Sequence, residues 1–273
     1  MPFYRFEKLK SYHFNPHLSS TTGPIIEGDY MYFRRVRKPA GGKSRLHYHP
    51  NEFMAFMLEG KLSAVLGRDR RVAGPGTLIH IPSNAQHSFE SREEINYLYV
   101  KDRTWTMIGA AADEALPSIP RSATEVARDL AAGRYPGGKK DPGKSQAIVD
   151  SLGDCFHPMI DGLNAPAASG HCERWLEGAN LAFGFIESPP GHGAAERKAA
   201  HELFAYVISG TLDARVGSGK RRTRPGDVIH VPRGAAYGWI VRGRGPARYA
   251  MVRSTPRLEA VVAKSGASDN WRG

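Results

Sequence analysis

The chain contains two copies of one sequence pattern, separated by 150 residues. Residues 52–60, EFMAFMLEG, match residues 202–210, ELFAYVISG, and the match runs without a gap from residue 27 to residue 87. Turn residues stand at the same places in both copies, as in Pro75-Gly76 and Pro225-Gly226. A gapless repeat of this length predicts two structurally equivalent domains.

Each copy consists of short apolar runs, rich in Val, Ile, Phe and Tyr, that are interrupted by Gly and Pro. This pattern is typical of an all-β sandwich or barrel. The segment between the copies differs, because residues 122–125, SATE, form a capping box that predicts a short helix ending near Gly133. We therefore predict an N-terminal domain with an N-terminal arm over residues 1–105, a partly helical linker over 106–174, and a C-terminal domain over 175–273.

The net charge of +11 raises the question of a nucleic-acid partner. The two densest basic clusters, residues 68–71 and 220–224, occupy equivalent hairpin tips in the two copies, where solvated charge is ordinary. The sequence therefore does not favour a nucleic-acid role, and a small anionic substrate fits the charge at least as well.

The sequence gives no sign of a membrane segment. No stretch approaches the roughly 20 apolar residues that cross a bilayer, and residues 1–5 do not resemble the start of a signal peptide. We expect a cytoplasmic protein, and a homo-oligomer stays open.

Histidines in the first copy follow two spaced motifs. Gly41 is followed after five residues by His47-Tyr48-His49, and this motif ends at Gly60. The second motif, residues 75–87, reads PGTLIHIPSNAQH and ends at His87. The spacing resembles that of the cupin superfamily, with Asn84 where the family usually has a glycine. The resemblance covers both copies and implies a bicupin, two tandem jelly-roll (double-stranded β-helix) barrels.

Three histidines of the first copy are candidate metal ligands. Side chains two apart on a strand share a face, so His47 and His49 point the same way, and His87 supplies the third ligand that the resemblance implies. Three imidazoles on one side of a divalent ion leave the opposite side open for water, substrate or O₂. The second copy has Arg197, Ala199 and Tyr237 at these positions, so we predict one metal ion per chain.

The position that usually holds a glutamate ligand in cupins is Phe53 here. Glu52 is adjacent, but a shift of one residue on a strand points the side chain to the other face. Glu52 also has a counterpart, Glu202, in the copy without histidines, and His80 has His230. We favour a three-histidine site and a structural role for Glu52 and His80, and keep open that a local bulge makes Glu52 an additional ligand.

Comparison of the copies gives a candidate substrate pocket. Met31 and Phe33 align with apolar residues of the second copy, and this alternation places Arg35 on the inward face, where the second copy has Phe185. An inward arginine beside a metal could hold a substrate carboxylate or enolate. The alternative is an internal salt bridge. The same alternation makes Phe53 and Met57 an apolar wall of the pocket.

Cupins with three histidine ligands resemble the thiol, diketone and gentisate-type dioxygenases, which use Fe(II) and O₂. This resemblance implies an Fe(II)-dependent dioxygenase acting on a small anionic substrate, with an aromatic compound as one option. The alternative is a non-redox lyase, isomerase or decarboxylase in which Zn, Mn or Ni polarises a substrate oxygen. A non-catalytic small-molecule-binding cupin is a third reading, and the sequence assigns no individual catalytic residue.

Overall fold

The computed structural model describes residues 1–13, 18–105, 109–116, 144–168 and 170–265. Within these ranges it contains 22 β-strands, a 3₁₀ turn at Phe6–Lys8 and one α-helix. The all-β prediction is therefore confirmed. The helix predicted after residue 122 lies outside the described residues.

The strands follow the repeat. Those of the first half are β1 (Phe3–Arg5), β2 (Ser11–His13), β3 (Thr22–Glu27), β4 (Met31–Lys38), β5 (His47–Tyr48), β6 (Phe53–Glu59), β7 (Leu62–Leu66), β8 (Asp69–Ala73), β9 (Thr77–Ile81), β10 (His87–Glu90), β11 (Ile95–Asp102) and β12 (Ala110–Ala111). Those of the second half are β13 (Phe156–Pro158), β14 (Cys172–Glu177), β15 (Leu181–Ser188), β16 (Gly193–Lys198), β17 (Leu203–Ser209), β18 (Thr211–Val216), β19 (Gly219–Thr223), β20 (Asp227–Val231), β21 (Ala236–Arg242) and β22 (Ala247–Ser254), followed by α1 (Pro256–Ser265).

Each copy folds into a barrel of two antiparallel sheets. In the N-terminal barrel a seven-stranded sheet, β13-β9-β6-β11-β4-β3-β2, accompanies a five-stranded sheet, β12-β5-β10-β7-β8. In the C-terminal barrel a six-stranded sheet, β1-β20-β17-β22-β15-β14, accompanies a four-stranded sheet, β16-β21-β18-β19. Strands β4, β6 and β9 recur at the same offset as β15, β17 and β20, which confirms two equivalent domains.

The two barrels exchange strands. Strand β1 adds to β20 of the C-terminal barrel, with Phe3 opposite Ile229. Strand β13 adds to β9 of the N-terminal barrel, with Phe156 opposite Ile79. The acceptor strands β20 and β9 are equivalent in the repeat, so the exchange is reciprocal. It crosses the domain boundaries drawn from the sequence at residues 105 and 175.

The large sheets of the two barrels pack against each other and form one core between the domains. Phe33 on β4 stacks on Phe204 on β17 with ring centroids 5.2 Å apart, and Phe56 on β6 lies 5.1 Å from Phe183 on β15. Strands such as β4 are therefore buried on both faces, one toward their own barrel interior and the other toward the neighbouring barrel.

Glu52 forms a buried hydrogen-bonded clamp to the C-terminal barrel. Its carboxylate accepts the Nε2 hydrogen of His80 at 2.7 Å. It also accepts three consecutive backbone N–H groups from the turn between β14 and β15, at 2.9, 2.6 and 2.9 Å, from Ala179, Asn180 and Leu181. We call this set the Glu52 clamp.

The Glu202 clamp is its counterpart in the opposite direction. The Glu202 carboxylate accepts the Nε2 hydrogen of His230 at 2.9 Å. It accepts three backbone N–H groups from the turn between β3 and β4, at 2.6, 2.9 and 3.1 Å, from Asp29, Tyr30 and Met31. The two clamps explain why the glutamate and histidine pairs occur in both copies, since each barrel holds a turn of the other.

The Glu52 clamp predicts a specific loss of stability in acid. Burial alone would raise the pKa of Glu52, but the hydrogen bonds from His80 and from the backbone of Asn180 and Ala179 outweigh it and hold the pKa below its ordinary value of 4.5. A carboxyl whose pKa is lowered in the folded state stabilises the protein above its unfolded pKa and loses this contribution as pH falls below it.

We expect Glu52→Gln to be less stable than the wild type at pH 7, and the difference to shrink as pH falls below about 4.5. Urea unfolding at a series of pH values measures both free energies. Curves for wild type and variant that stay parallel down to acid pH would contradict a lowered pKa for Glu52.

Candidate metal centre

Three buried histidines meet inside the N-terminal barrel. His47 lies on β5, His49 directly follows that strand, and His87 opens β10, which pairs with β5 so that His87 stands opposite His47. One ring nitrogen from each histidine lies within 4.8 Å of the other two. The structure thus brings together the three ligands that the sequence motifs predict.

The hydrogen bonds of two of these histidines select the tautomer that a metal needs. Nδ1 of His47 lies 2.6 Å from the carbonyl of Arg45, and Nδ1 of His87 lies 2.8 Å from the carbonyl of Ala85. Because a carbonyl can only accept, both Nδ1 atoms carry the hydrogen and both Nε2 atoms are available as ligands. Burial lowers the pKa of His47 to about 4, so its ring is neutral near pH 7.

The Nδ1 atom of His49 has a side-chain partner. It lies 3.0 Å from Nζ of Lys101, a buried residue of β11. Burial lowers the pKa of Lys101 to about 7, against the opposing effect of Asp102. A neutral amine can accept the Nδ1 hydrogen of His49, and this arrangement leaves Nε2 for a metal.

The backbone of His49 is held by the residue that departs from the family pattern. Asn84 donates its N–H to the carbonyl of His49 at 2.7 Å. Asn84 has a φ of 62°, and the equivalent Gly234 has a φ of 81°. Asparagine tolerates this left-handed conformation better than most residues, which explains why it can replace a glycine here.

A small cavity lies beside the three histidines. Its volume is about 50 Å³, enough for roughly three to five water molecules. The lining side chains are one guanidinium, three imidazoles, hydroxyl groups and aromatic rings, from Ser19, Thr21, Arg34, Ser44, His47, His49, Phe53, His87, Phe89, Tyr97 and Tyr99.

The arginine in this cavity is Arg34, not Arg35. The sequence interpretation placed Arg35 inward, but its guanidinium donates to Glu7 at 2.6 Å and to Asn96 at 3.1 Å. The apolar alternation of Met31 and Phe33 marks the face of β4 that packs on the other barrel. Arg35 shares that face, so the salt-bridge alternative is the one that the structure supports.

Arg34 faces the barrel interior and is 4% exposed. Burial lowers its pKa to about 10, so the guanidinium remains charged near pH 7. It lies over the ring of Tyr99 at 5.8 Å from the centroid. The sequence carries a signal for Arg34, because the second copy has Gly184 at the aligned position. In the structure the Trp175 ring packs against Gly184.

Of the other residues that the sequence predicts for the pocket or the metal, one lines the cavity and two lie elsewhere. Phe53 lines the cavity, with its ring 5.0 Å from that of His87. Met57 lies in the apolar core of the same barrel and is not among the residues that line the cavity. Glu52, the candidate additional ligand, directs its carboxylate to the C-terminal barrel and is not a member of the histidine group.

The corresponding place in the C-terminal barrel has different chemistry. Arg197 donates from Nε to the hydroxyl of Tyr237 at 2.9 Å, and Ala199 is buried without a polar side chain. A guanidinium carries no lone pair for a metal. The three positions that hold imidazoles in one barrel therefore do not form a comparable donor set in the other.

Comparison with known protein families identifies the chain. A family model described as the cupin domain matches residues 27–100 and 184–253, more than half of the chain. This protein belongs to the cupin family. A search of curated protein sequences finds no match for this cupin.

Solved structures similar to this cupin include those of oxalate decarboxylase. A structure from work on the Mn(II) centres of the Bacillus subtilis enzyme is 15% identical with a TM-score of 0.63, covering 93% of this chain and 77% of that chain. The Bacillus subtilis enzyme at pH 4.6 is 14% identical with a TM-score of 0.62, covering 93% and 76%. This likeness shows the bicupin fold. Among the described residues, no helix is both long and apolar enough to cross a membrane.

Proposed function

We propose that this cupin is a divalent-metal-dependent enzyme that acts on a small carboxylate by non-redox chemistry of the decarboxylase or lyase type. The observation that carries the proposal is that Arg34 and the three histidines line one small cavity. A buried guanidinium binds a carboxylate through charge-assisted, often bidentate hydrogen bonds.

His47, His49 and His87 would hold the metal, and their buried, neutral imidazoles fit a divalent ion of the Mn or Zn kind. When bound, the ion would supply a Lewis acid that polarises a substrate oxygen. The likeness to oxalate decarboxylase, with its Mn(II) centres, supports Mn(II) and a decarboxylation reaction.

The remaining cavity residues orient the substrate and exclude water. Arg34 would bind one carboxylate of the substrate and fix the position of the rest of the molecule. Phe53 and Phe89 form an apolar wall. Burial raises the pKa of both Tyr97 and Tyr99, so their phenols stay protonated and add no negative charge near the substrate.

An Fe(II)-dependent dioxygenase is the second candidate. The observation that favours it is the donor set, which consists of three neutral imidazoles, with Glu52 directed elsewhere. Such a set does not balance the charge of the ion, so an anionic substrate would have to do so. The two candidates share the metal centre and the anionic substrate, and they differ in whether O₂ is consumed.

The test uses the protein loaded separately with Mn(II), Zn(II) or Fe(II), and a panel of two- to four-carbon dicarboxylates and 2-oxo acids. Our proposal expects loss of the carboxylate with release of CO₂ and without stoichiometric O₂ uptake. Stoichiometric O₂ uptake by the Fe(II) form would contradict it in favour of the dioxygenase. Tight binding of a carboxylate without turnover by any form would identify a binding protein instead.

A further inference from the structure

The Glu52 clamp and the Glu202 clamp share their backbone geometry but differ in one side-chain contact. On the metal side, Nδ2 of Asn180 donates to Oδ2 of Asp102 across the domain interface at 2.7 Å. This bond is additional to the one that the backbone N–H of Asn180 makes with Glu52. Asn180, a residue of the metal-less barrel, thus reaches a second carboxylate in the N-terminal barrel.

A serine takes the place of this second carboxylate in the other clamp. Asp102 lies opposite Met31, and Ser254 lies opposite Leu181, at equivalent positions of the repeat. The hydroxyl of Ser254 donates to Glu259 of its own barrel at 2.6 Å. The interdomain side-chain bond therefore belongs to the half of the protein that carries the histidines.

Asp102 connects the domain interface to two segments beside the metal centre. They are the segment that follows His49 and the strand that carries Lys101. Its Oδ2 accepts the backbone N–H of Glu52 at 2.8 Å, and its Oδ1 accepts Nδ2 of Asn51 at 3.2 Å. Asn51 and Glu52 follow His49 by two and three positions. Asp102 also directly follows Lys101, whose Nζ lies 3.0 Å from Nδ1 of His49. One carboxylate thus holds the segment after His49 and the strand that brings Lys101 to it.

We propose that Asn180 is a positioning residue for the metal centre, supplied by the barrel that has no histidine triad. By holding the carboxylate of Asp102, Asn180 restricts the backbone beside His49 and the approach of Lys101 to its ring. The metal-less barrel then takes part in metal binding as well as in the interdomain core. The proposal rests on the metal centre of the proposed function but not on the reaction assigned to it.

The test compares Asn180→Ala with Glu202→Gln in the full 273-residue chain. The measurements are the dissociation constant for Mn(II), the Mn(II) electron paramagnetic resonance spectrum and the melting temperature. Partners that orient a metal ligand typically contribute about 10- to 100-fold to metal affinity. We expect Asn180→Ala to weaken Mn(II) binding about tenfold and to change the spectrum.

Glu202→Gln is the control, because it weakens the other clamp between the barrels without removing the Asn180–Asp102 hydrogen bond. It should lower the melting temperature and leave both the Mn(II) affinity and the spectrum unchanged. If Asn180→Ala does not fold, Asn180→Ser removes the same amide with a smaller change in polarity.

Mn(II) binding by the Asn180 variant that matches the wild type, with an unchanged spectrum, would overturn the proposal even if the melting temperature fell. Equal weakening of Mn(II) binding by Glu202→Gln would also overturn it, because the effect would then be a general loosening of the interface. A wild-type protein that binds no divalent metal would refute the metal centre itself. Metal binding without turnover would refute only the proposed reaction.

Discussion

Replacing His87 with alanine is expected to remove tightly bound metal from the protein while the barrels stay folded. His87 is one of three histidines whose ring nitrogens lie within 4.8 Å of one another, and two imidazoles hold a divalent ion far less well than three. The affinity should fall by more than the roughly 10- to 100-fold that outer partners of a ligand typically contribute. Isothermal titration with Mn(II) or Zn(II) measures the loss.

The matched control is Tyr237→Phe, at the equivalent position of the C-terminal barrel. This variant removes only the hydroxyl that accepts a hydrogen bond from Arg197, so metal content and affinity should equal those of the wild type. If His87→Ala keeps the metal or Tyr237→Phe loses it, the assignment of the centre to the N-terminal barrel is wrong.

Replacing Arg34 with methionine is expected to lower kcat/KM by about 10- to 100-fold with little change in metal content. The variant loses a charge-assisted hydrogen bond to the substrate carboxylate, and such bonds contribute about 1.5–3 kcal/mol. Steady-state kinetics on the substrate identified by the panel above, with metal analysis of the same sample, measures both effects.

Arg35→Met is the control for this prediction, because the two arginines are neighbours in sequence but lie on opposite faces of β4. Arg35 pairs with Glu7 at 2.6 Å on the face away from the cavity, so its variant should retain nearly full kcat/KM. A larger loss from Arg35→Met than from Arg34→Met would return the substrate anchor to Arg35 and refute the cavity assignment.

The grouping of the three histidines could be predicted from the sequence, because it depends on local geometry and on the repeat. Two histidines separated by one residue on a strand share a face whatever surrounds the strand. The second copy also shows which residues the fold can lose, since Arg197, Ala199 and Tyr237 stand at the ligand positions. The same comparison predicted a structural role for His80, which lies in the Glu52 clamp.

The inward arginine of β4 could not be predicted from the sequence, because β4 is buried on both faces. The alternation of Met31 and Phe33 identifies a buried face but not which barrel covers it. Here the apolar face packs on the neighbouring domain, and the polar Arg34 faces the interior. Which face of such a strand points into its own barrel depends on how the two domains are arranged. Short-range sequence patterns do not carry this information.

The partners of Glu52 and His49 also depend on long-range contacts. Asn180 is 128 residues from Glu52, and Lys101 is 52 residues from His49. A buried lysine beside a candidate metal ligand is unusual, because burial of an ammonium group is costly. Nothing in the spacing of the histidine motifs indicates either partner.

The central claim, a single metal centre in one of two equivalent barrels, is tested most directly by anomalous diffraction from crystals of the Mn(II)-loaded protein, collected at the manganese edge. We predict one anomalous peak per chain, between the Nε2 atoms of His47, His49 and His87. A peak near Arg197 and Tyr237, or the lack of one at the three histidines, would contradict the account.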